Sequence, residues 1–342
     1  MRPQVERLRA AIAAFRDKTV IVVGDVITDE DLFGRPARIS REAPVIILRF
    51  TEREVTLGGA ANAAHNAHAL GARAVPVGVI GRDAAGDELL GLCHAAGIPT
   101  DGLVTEAGRV TPAKTRIMAG GYQATRQQVV RVDREPASEP QPITEDALLS
   151  RLTALGARAD AILISDYGYG TVTPRVYERI RALAGKAGMV VTVDSRYQLP
   201  RFTGVTAATP NEAELEHLVG VPVDDEPSVD KAGRQLLERL DARLLLVTRG
   251  SRGMALLERD GGTTFIPIFG TDEIADVTGA GDTVISTFTL GLAAGASAVD
   301  AATLANVGGG LVVMKRGTAT LTRDELLEAI GGDLTGSPAT GR

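Results

Sequence analysis

Asp276-Val277-Thr278-Gly279-Ala280-Gly281-Asp282-Thr283 runs into an apolar stretch from residue 284 to about 294, and the reading of this segment decides the fold. Glycines at 279 and 281 leave no Cβ atoms to hold a phosphate away from the backbone. The turn feeds a helix whose first N–H groups have no internal partners. Those donors and the positive end of the helix dipole make an anion site. Asp282 falls in the first turn, beside any anion held there. A carboxylate next to such a site suits phosphoryl transfer to a hydroxyl: backbone donors hold the developing charge while the base takes the proton. Taken alone, the octapeptide also reads as a tight turn with Asp282 as a helix-start residue.

The bulk of the chain narrows the choice. With 342 residues, 44% hydrophobic and 39 glycines, it can bury a large core as one large α/β domain or two small ones. A formal net charge of −6 argues against a nucleic-acid surface. The single Cys93 rules out an internal disulfide and fits a reducing compartment. Four histidines, at 65, 68, 94 and 217, supply no metal-ligand set beside one cysteine, and the helical pair His65 and His68 reads as surface. Val5, Leu8, Ile12 and Phe15 at helical spacing predict an amphipathic docking helix rather than a signal peptide. No run approaches the roughly 20 apolar residues of a membrane span, so a cytoplasmic protein without membrane partners is expected.

Working outward, Thr19-Val-Ile-Val-Val-Gly24 is a β-branched run of the kind found in buried parallel strands. Asp25 and Asp29 follow it, at the sheet edge where such folds bind ligands; they either grip hydroxyls or cap a loop. Between residues 33 and 56 the rhythm changes. Val45-Ile-Ile-Leu-Arg-Phe50, and later the stretches 111–118 and 127–133, read as antiparallel strands of a separate small sheet, a lid. Lys114, Arg116, Gln128 and Arg131 on it either reach an anionic substrate or are solvated strand faces. Leu57-Gly-Gly-Ala-Ala-Asn62 opens an alanine-rich helix and again offers free N–H groups, with Asn62 able to donate and accept. A strand over 72–81 and a helix over 87–96 follow.

Beyond the acidic, proline-rich stretch 133–142 the alternation of strand and helix is regular. Strands ending at Asp166, Asp194, Asn211 and Thr248 place four polar residues along one sheet edge, which Asp282 should share. Five polar ends on one edge predict a pocket. Asn211 is either an N-cap or, with Glu214, part of a magnesium site through water. Thr248-Arg-Gly250 forms a turn suited to phosphate. A helix over 300–313 carries Asn306, a Lys315-Arg-Gly-Thr318 turn precedes the last helix, and residues from about 332 read as a loose tail.

With these pieces placed, the chain resembles the pfkB (ribokinase-like) sugar kinases along nearly its whole length. Gly58-Gly59-Ala60-Ala61-Asn62, followed by Gly71 and Gly81, is similar to the family's first signature, and 276–282 to its second. Within the family, the likeness is to the D-glycero-β-D-manno-heptose-7-phosphate kinase type. It rests on Val23-Gly-Asp-Val-Ile-Thr-Asp29, Ala37-Arg-Ile-Ser-Arg-Glu-Ala-Pro-Val45, Gln127-Gln-Val-Val-Arg-Val-Asp133 and Ile164-Ser-Asp-Tyr167. Bifunctional members of that type continue into a nucleotidyltransferase domain, so only the kinase half is expected here.

The resemblance implies a three-layer α/β/α fold with a mostly parallel sheet and a small lid, one kinase domain over 1–331 and a flexible tail over 332–342. It implies Asp282 as the base, with the N–H groups of Gly279, Ala280, Gly281 and Asp282 as the anion hole. Asp25, Gly58, Gly59 and Asn62 would bind the sugar, helped by Asp29 and Arg38, and the lid residues Lys114, Arg116 and Arg131 its phosphate. Asp194, Arg196, Asn211, Glu214, Thr248 and Gly250 would handle the phosphates of ATP and Mg²⁺, with Asn306 and Gly317 bordering the adenine. A monovalent cation, K⁺, would sit near Asp276 and Thr278, and the lid would also build a homodimer.

The chain departs from the type in two places. Heptose kinases usually read Asp-Pro-Lys-Gly where this chain has Asp194-Ser195-Arg196-Tyr197, and Thr287 follows Ser286 where the family wants Ala or Gly. The expected activity is ATP-dependent phosphorylation of the 1-OH of a heptose 7-phosphate. Another sugar, sugar phosphate or nucleoside is the alternative acceptor, and a catalytically silent sugar-binding module is the alternative class.

Overall fold

Thr19–Gly24 is the central strand because both its faces are buried. Ile21 and Val23 point into one apolar layer and Val20 and Val22 into the other, which is why the run is continuously β-branched rather than alternating. The computed structural model describes residues 2–120, 126–270, 276–315 and 317–331; the expected tail over 332–342 lies outside them. The chain opens with α1 (Arg2–Ala14) and β1 (Thr19–Gly24), then two long strands, β2 (Val26–Ile39) and β3 (Ile46–Gly58). Next come α2 (Gly59–Ala69), β4 (Arg73–Gly81), α3 (Ala84–Ala95), β5 (Leu103–Glu106), β6 (Ala113–Ala119) and β7 (Gln127–Arg134). The regular part holds α4 (Pro142–Gly156), β8 (Ala161–Asp166), α5 (Pro174–Ala187), β9 (Val190–Ser195), β10 (Ala207–Ala208), α6 (Glu212–Val219) and α7 (Glu226–Arg239). The last stretch holds β11 (Leu244–Thr248), β12 (Met254–Glu258), β13 (Thr263–Ile266), α8 (Ala280–Ala293), α9 (Ala298–Val312) and α10 (Arg323–Gly331).

Nine strands form one sheet in the order β13-β12-β11-β10-β9-β8-β1-β4-β5. It is parallel from β11 to β5, with β12 and β13 added antiparallel. Leu148, Leu152, Val176, Ile180 and Leu236 of α4, α5 and α7 cover one face. Leu8 and Ile12 of α1, the alanines of α2, and Ile285 and Leu290 of α8 cover the other. This is the three-layer, ribokinase-like α/β arrangement with a second, smaller sheet.

That second sheet, β3-β2-β6-β7, departs from expectation in two ways. β2 pairs antiparallel with β3, but parallel with β6, because the chain returns through the main layers before β6 begins. β2 also starts two residues after β1 ends, so Asp29 is not on a sheet-edge loop; it lies on a lid strand, opposite Lys114 and Thr56. Acidic residues hid this strand, and cross-strand pairing is what accommodates them: Glu30 takes Arg53 at 2.6 Å and Thr115 at 2.5 Å, and Asp29 lies 3.0 Å from Arg116. The short strands β5, β12 and β13 were not foreseen.

Lid strand β3 runs into α2 at Gly59, which has φ +55°; a Cβ there would lie 2.3 Å from the Asp25 carbonyl oxygen. Gly59→Ala is expected to cost about 2–4 kcal/mol through left-handed strain and this clash, measured as a lower urea midpoint.

Candidate active site

Gly279, at φ +78° and ψ 0°, turns the chain into α8. The N–H of Ala280 donates to the Val277 carbonyl and that of Thr283 to the Gly279 carbonyl, both at 3.2 Å. Ala280 is therefore committed to the turn, and the expected four-donor anion hole narrows. Among the described residues, the N–H groups of Gly279, Gly281 and Asp282 have no backbone acceptor, as expected at the N-cap and the second and third positions of a helix. They are the donors open to an anion.

The Asp282 side chain is 5% exposed. Asn62 donates to its Oδ2 at 2.7 Å, and the Tyr167 hydroxyl reaches its Oδ1 at 3.4 Å. Asn62 is itself oriented: its Oδ1 accepts from Asn66, whose Oδ1 accepts from the Thr283 hydroxyl at 2.8 Å. The network fixes which end of the Asn62 amide faces the carboxylate. Burial pushes the Asp282 carboxyl up to about 7, with the Asp29 charge adding to the rise, while Asn62, Lys114 and Tyr167 pull it back. Asp194 is pushed up to about 8 by burial and by the neighbouring Glu214 and Asp282 charges.

These acids share one cavity of about 620 Å³. Its floor is Thr278, Gly279, Ala280, Gly281 and Asp282, and its sheet-edge wall is Asp166, Asp194, Asn211 and Thr248, the strand ends that the sequence placed together. Glu214, Gly250 and Asn306 line one end, and Gly59, Asp29, Lys114, Arg116 and Arg131 the other, with Arg196 also on the wall. Asn211 caps α6 in a reciprocal box, its side chain accepting from the Glu214 N–H while Glu214 Oε2 accepts from the Asn211 N–H. Asn306 donates to the Pro267 carbonyl at 2.8 Å.

Six expected contacts lie outside this lining. Asp25 is buried, and its carboxylate accepts three backbone N–H groups, from Tyr167, Tyr169 and Thr171 at 2.9–3.1 Å. It positions the loop after β8 rather than presenting a free carboxylate to a ligand. Asn62 stands behind Asp282. Gly58 makes room for Asp29, whose Oδ2 would be 2.5 Å from a Cβ at 58. Asp276 ties two loops together by accepting from the Thr278 and Gly317 N–H groups at 2.9 and 3.1 Å, so Gly317 serves that anchor. Arg38 is exposed near the tip of β2.

Tyr167 is the contact that residue reasoning missed, although it directly follows a strand whose polar end had been noted. Its ring carries Lys114 at 4.4 Å and Arg196 at 5.7 Å from the centroid. Buried Arg109, also missed, donates to the Tyr169 carbonyl at 2.9 Å and helps Asp25 hold the same loop.

Among the described residues no cluster of three or more His, Cys, Asp or Glu side chains could hold a metal. Mg²⁺ usually keeps several waters and binds through one or two carboxylates together with substrate phosphates. Glu214 and Asp194, two carboxyl groups on the cavity wall, fit that use; burial disfavours their charge, which a bound cation would offset.

Comparisons with known proteins agree with this arrangement. The profile described as pfkB family carbohydrate kinase matches residues 17–325. The bifunctional protein HldE of Geobacter metallireducens is 40% identical over 327 residues, covering 95% of this chain and 66% of that protein. The chain thus spans about two thirds of the length of such curated relatives. Among solved structures, Arabidopsis thaliana ribokinase complexed with ribose and ATP superposes with a TM-score of 0.74 at 19% identity, covering 92% of this chain and 99% of that one. Escherichia coli phosphofructokinase-2 in complex with potassium gives 0.73 at 18% identity, covering 92% and 98%. At these identities the two structures establish the fold. No helix among the described residues is long and apolar enough to cross a membrane.

A carboxyl raised from 3.8 to about 7 on folding binds its proton more tightly in the native state, so between those values the fold loses stability as pH rises. Asp282→Asn removes that loss. The variant should have a higher urea midpoint than the parent at pH 8 and a similar one near pH 4; equal midpoints at both would contradict the assigned shift.

Proposed function

We propose that this chain, which belongs to the pfkB family of carbohydrate kinases, transfers the γ-phosphoryl group of ATP to the 1-OH of D-glycero-D-manno-heptose 7-phosphate. Carbohydrate kinases are phosphotransferases with an alcohol group as acceptor. The observation that carries the reading is the buried Asp282 carboxylate, oriented by Asn62 beside the open N–H groups of Gly281 and Asp282. The heptose assignment draws on the motifs quoted above and on the 40% identity to HldE proteins.

The mechanism follows from the residues. Asp282 takes the proton of the acceptor hydroxyl as its oxygen attacks the γ-phosphorus in line, and ADP leaves. The open N–H groups of Gly279, Gly281 and Asp282 hold charge developing on the transferred oxygens. Asp29, Lys114, Arg116 and Arg131 fix the acceptor from the lid side, which also excludes water. Thr248, Gly250 and Asn306 take the nucleotide end, with Asn211 positioning Glu214. Bound Mg²⁺, reached by Glu214 through water, would neutralise charge on the phosphates.

The same reading takes residues 1–331 as one kinase domain. It places K⁺ near Asp276 and Thr278, where Asp276 already organises the loop; replacing KCl by tetramethylammonium chloride should then lower turnover. It also takes the lid as the homodimer surface, because Ile39, Ile46 and Phe50 are 60–70% exposed there. Phe50→Glu should shift the mass measured by light scattering from dimer to monomer. The Asp194-Ser-Arg-Tyr197 departure favours a second reading, in which the acceptor is a different sugar phosphate.

The test is ADP release from Mg-ATP with heptose 7-phosphate, fructose 6-phosphate, fructose 1-phosphate, ribose and adenosine. Turnover is expected with the heptose phosphate, lowered about 10²–10⁴-fold in Asp282→Asn while ATP binding persists. Turnover with another acceptor alone would replace the substrate. Absence of turnover with every acceptor would leave a binding module. Because the base must be unprotonated, kcat/KM should fall as pH drops below about 7.

A further inference from the structure

A second cavity of about 340 Å³ adjoins the first and shares Lys114, Arg131, Tyr167 and Arg196 with it. Its remaining walls are Asp133, Glu135, Gly168, Tyr169 and Tyr197. None of the nucleotide-end residues Asn211, Glu214, Thr248, Gly250 or Asn306 borders it. Three cationic side chains therefore meet on the lid side of Asp282, where an acceptor would extend away from its reacting hydroxyl.

These cations are only partly neutralised by the carboxylates around them. Lys114 and Arg196 both lie over the ring of Tyr167, and among the described residues neither forms an ion pair. Arg131 is paired, bidentately, with Asp133 at 2.8–2.9 Å. The Lys114 ammonium is held below its usual value by burial and then, against the pull of Asp29, by the charges of Arg196 and Arg131. Bringing like charges together costs energy that a bound anion would offset. Tyr167 links the two places: its hydroxyl touches Asp282 and its ring carries the cations. Its position is set by Asp25 through the loop N–H groups.

We propose that this smaller cavity seats the distal phosphate of the acceptor, and that Arg196 reads that phosphate rather than the phosphates of the nucleotide. The proposal rests on the kinase reading and makes Arg196, at the point where the chain departs from the heptose kinase pattern, a specificity-determining residue. A guanidinium offers a planar pair of donors to a phosphate, which a lysine cannot. Asp133 and Glu135 on the rim oppose the binding of additional negative charge, so a single phosphate is favoured over a longer polyphosphate.

The test uses the full chain and compares each phosphorylated acceptor with its unphosphorylated sugar, heptose 7-phosphate against heptose and fructose 6-phosphate against fructose. The parent should prefer the phosphorylated member of whichever pair it uses. Arg196→Met should lower the preference for the phosphorylated member over its unphosphorylated sugar by about 10- to 100-fold and leave the KM for ATP within about twofold. Arg196→Lys should recover part of the loss. Inorganic phosphate should inhibit the parent competitively against the acceptor, and Arg196→Met should weaken that inhibition. A raised KM for ATP with unchanged acceptor discrimination would overturn the proposal and assign Arg196 to the nucleotide. A parent that does not distinguish the members of a pair would overturn it while leaving the kinase reading intact. Use of fructose 6-phosphate in place of the heptose would replace the substrate and leave the proposal standing.

Discussion

Burying the Asp282 carboxylate is the constraint on which the rest of the site depends. An isolated charge in that position is strongly disfavoured, and the fold meets the cost only in part. Asn62 donates one strong hydrogen bond and Tyr167 a longer one, while Asp29 and Asp194 add repulsion from the same cavity. The carboxyl is left near 7, where it can both take and return a proton at neutral pH. A group held this way is poor for stability and well suited to general-base chemistry.

The architecture delivers these groups by two routes. The parallel sheet presents Asp166, Asp194 and Thr248 at the ends of β8, β9 and β11, and α8 starts where its unpaired N–H groups face the same space. The lid supplies the cations from the strand face that carries Asp29, Lys114, Arg116 and Arg131, which the register brings side by side. Asp25 and Arg109 connect the two by fixing the loop after β8 through its backbone. Substitutions at either residue should therefore act through Tyr167 instead of through lost contacts to a ligand.

Much of the fold was legible because its signals are local. Short apolar runs marked β1, β8, β9 and β11, and glycine pairs marked the starts of α2 and α8. The lid strand β2 was not legible, because Asp29, Glu30 and Asp31 break the apolar pattern and their partners lie far along the chain: Arg53 and Thr115 hydrogen-bond Glu30, and Arg116 is the cation beside Asp29 and Asp31. The same holds for the site. Residues at strand ends and at the glycine turn were placed from position alone. That Asp25 accepts three backbone N–H groups and that Asn62 holds Asp282 are facts of three-dimensional contact, which spacing does not encode.

The most direct test of the account is the pH dependence of kcat/KM in Asn62→Ala beside the parent, with the best acceptor found. Asn62 stabilises the charged form of Asp282, so its loss raises the carboxyl pKa and should move the acid limb of the profile to higher pH, whatever the loss in maximal rate. An acid limb that stays where it is in the parent would show that some other group sets the profile, and would contradict the assignment of Asp282 as the base.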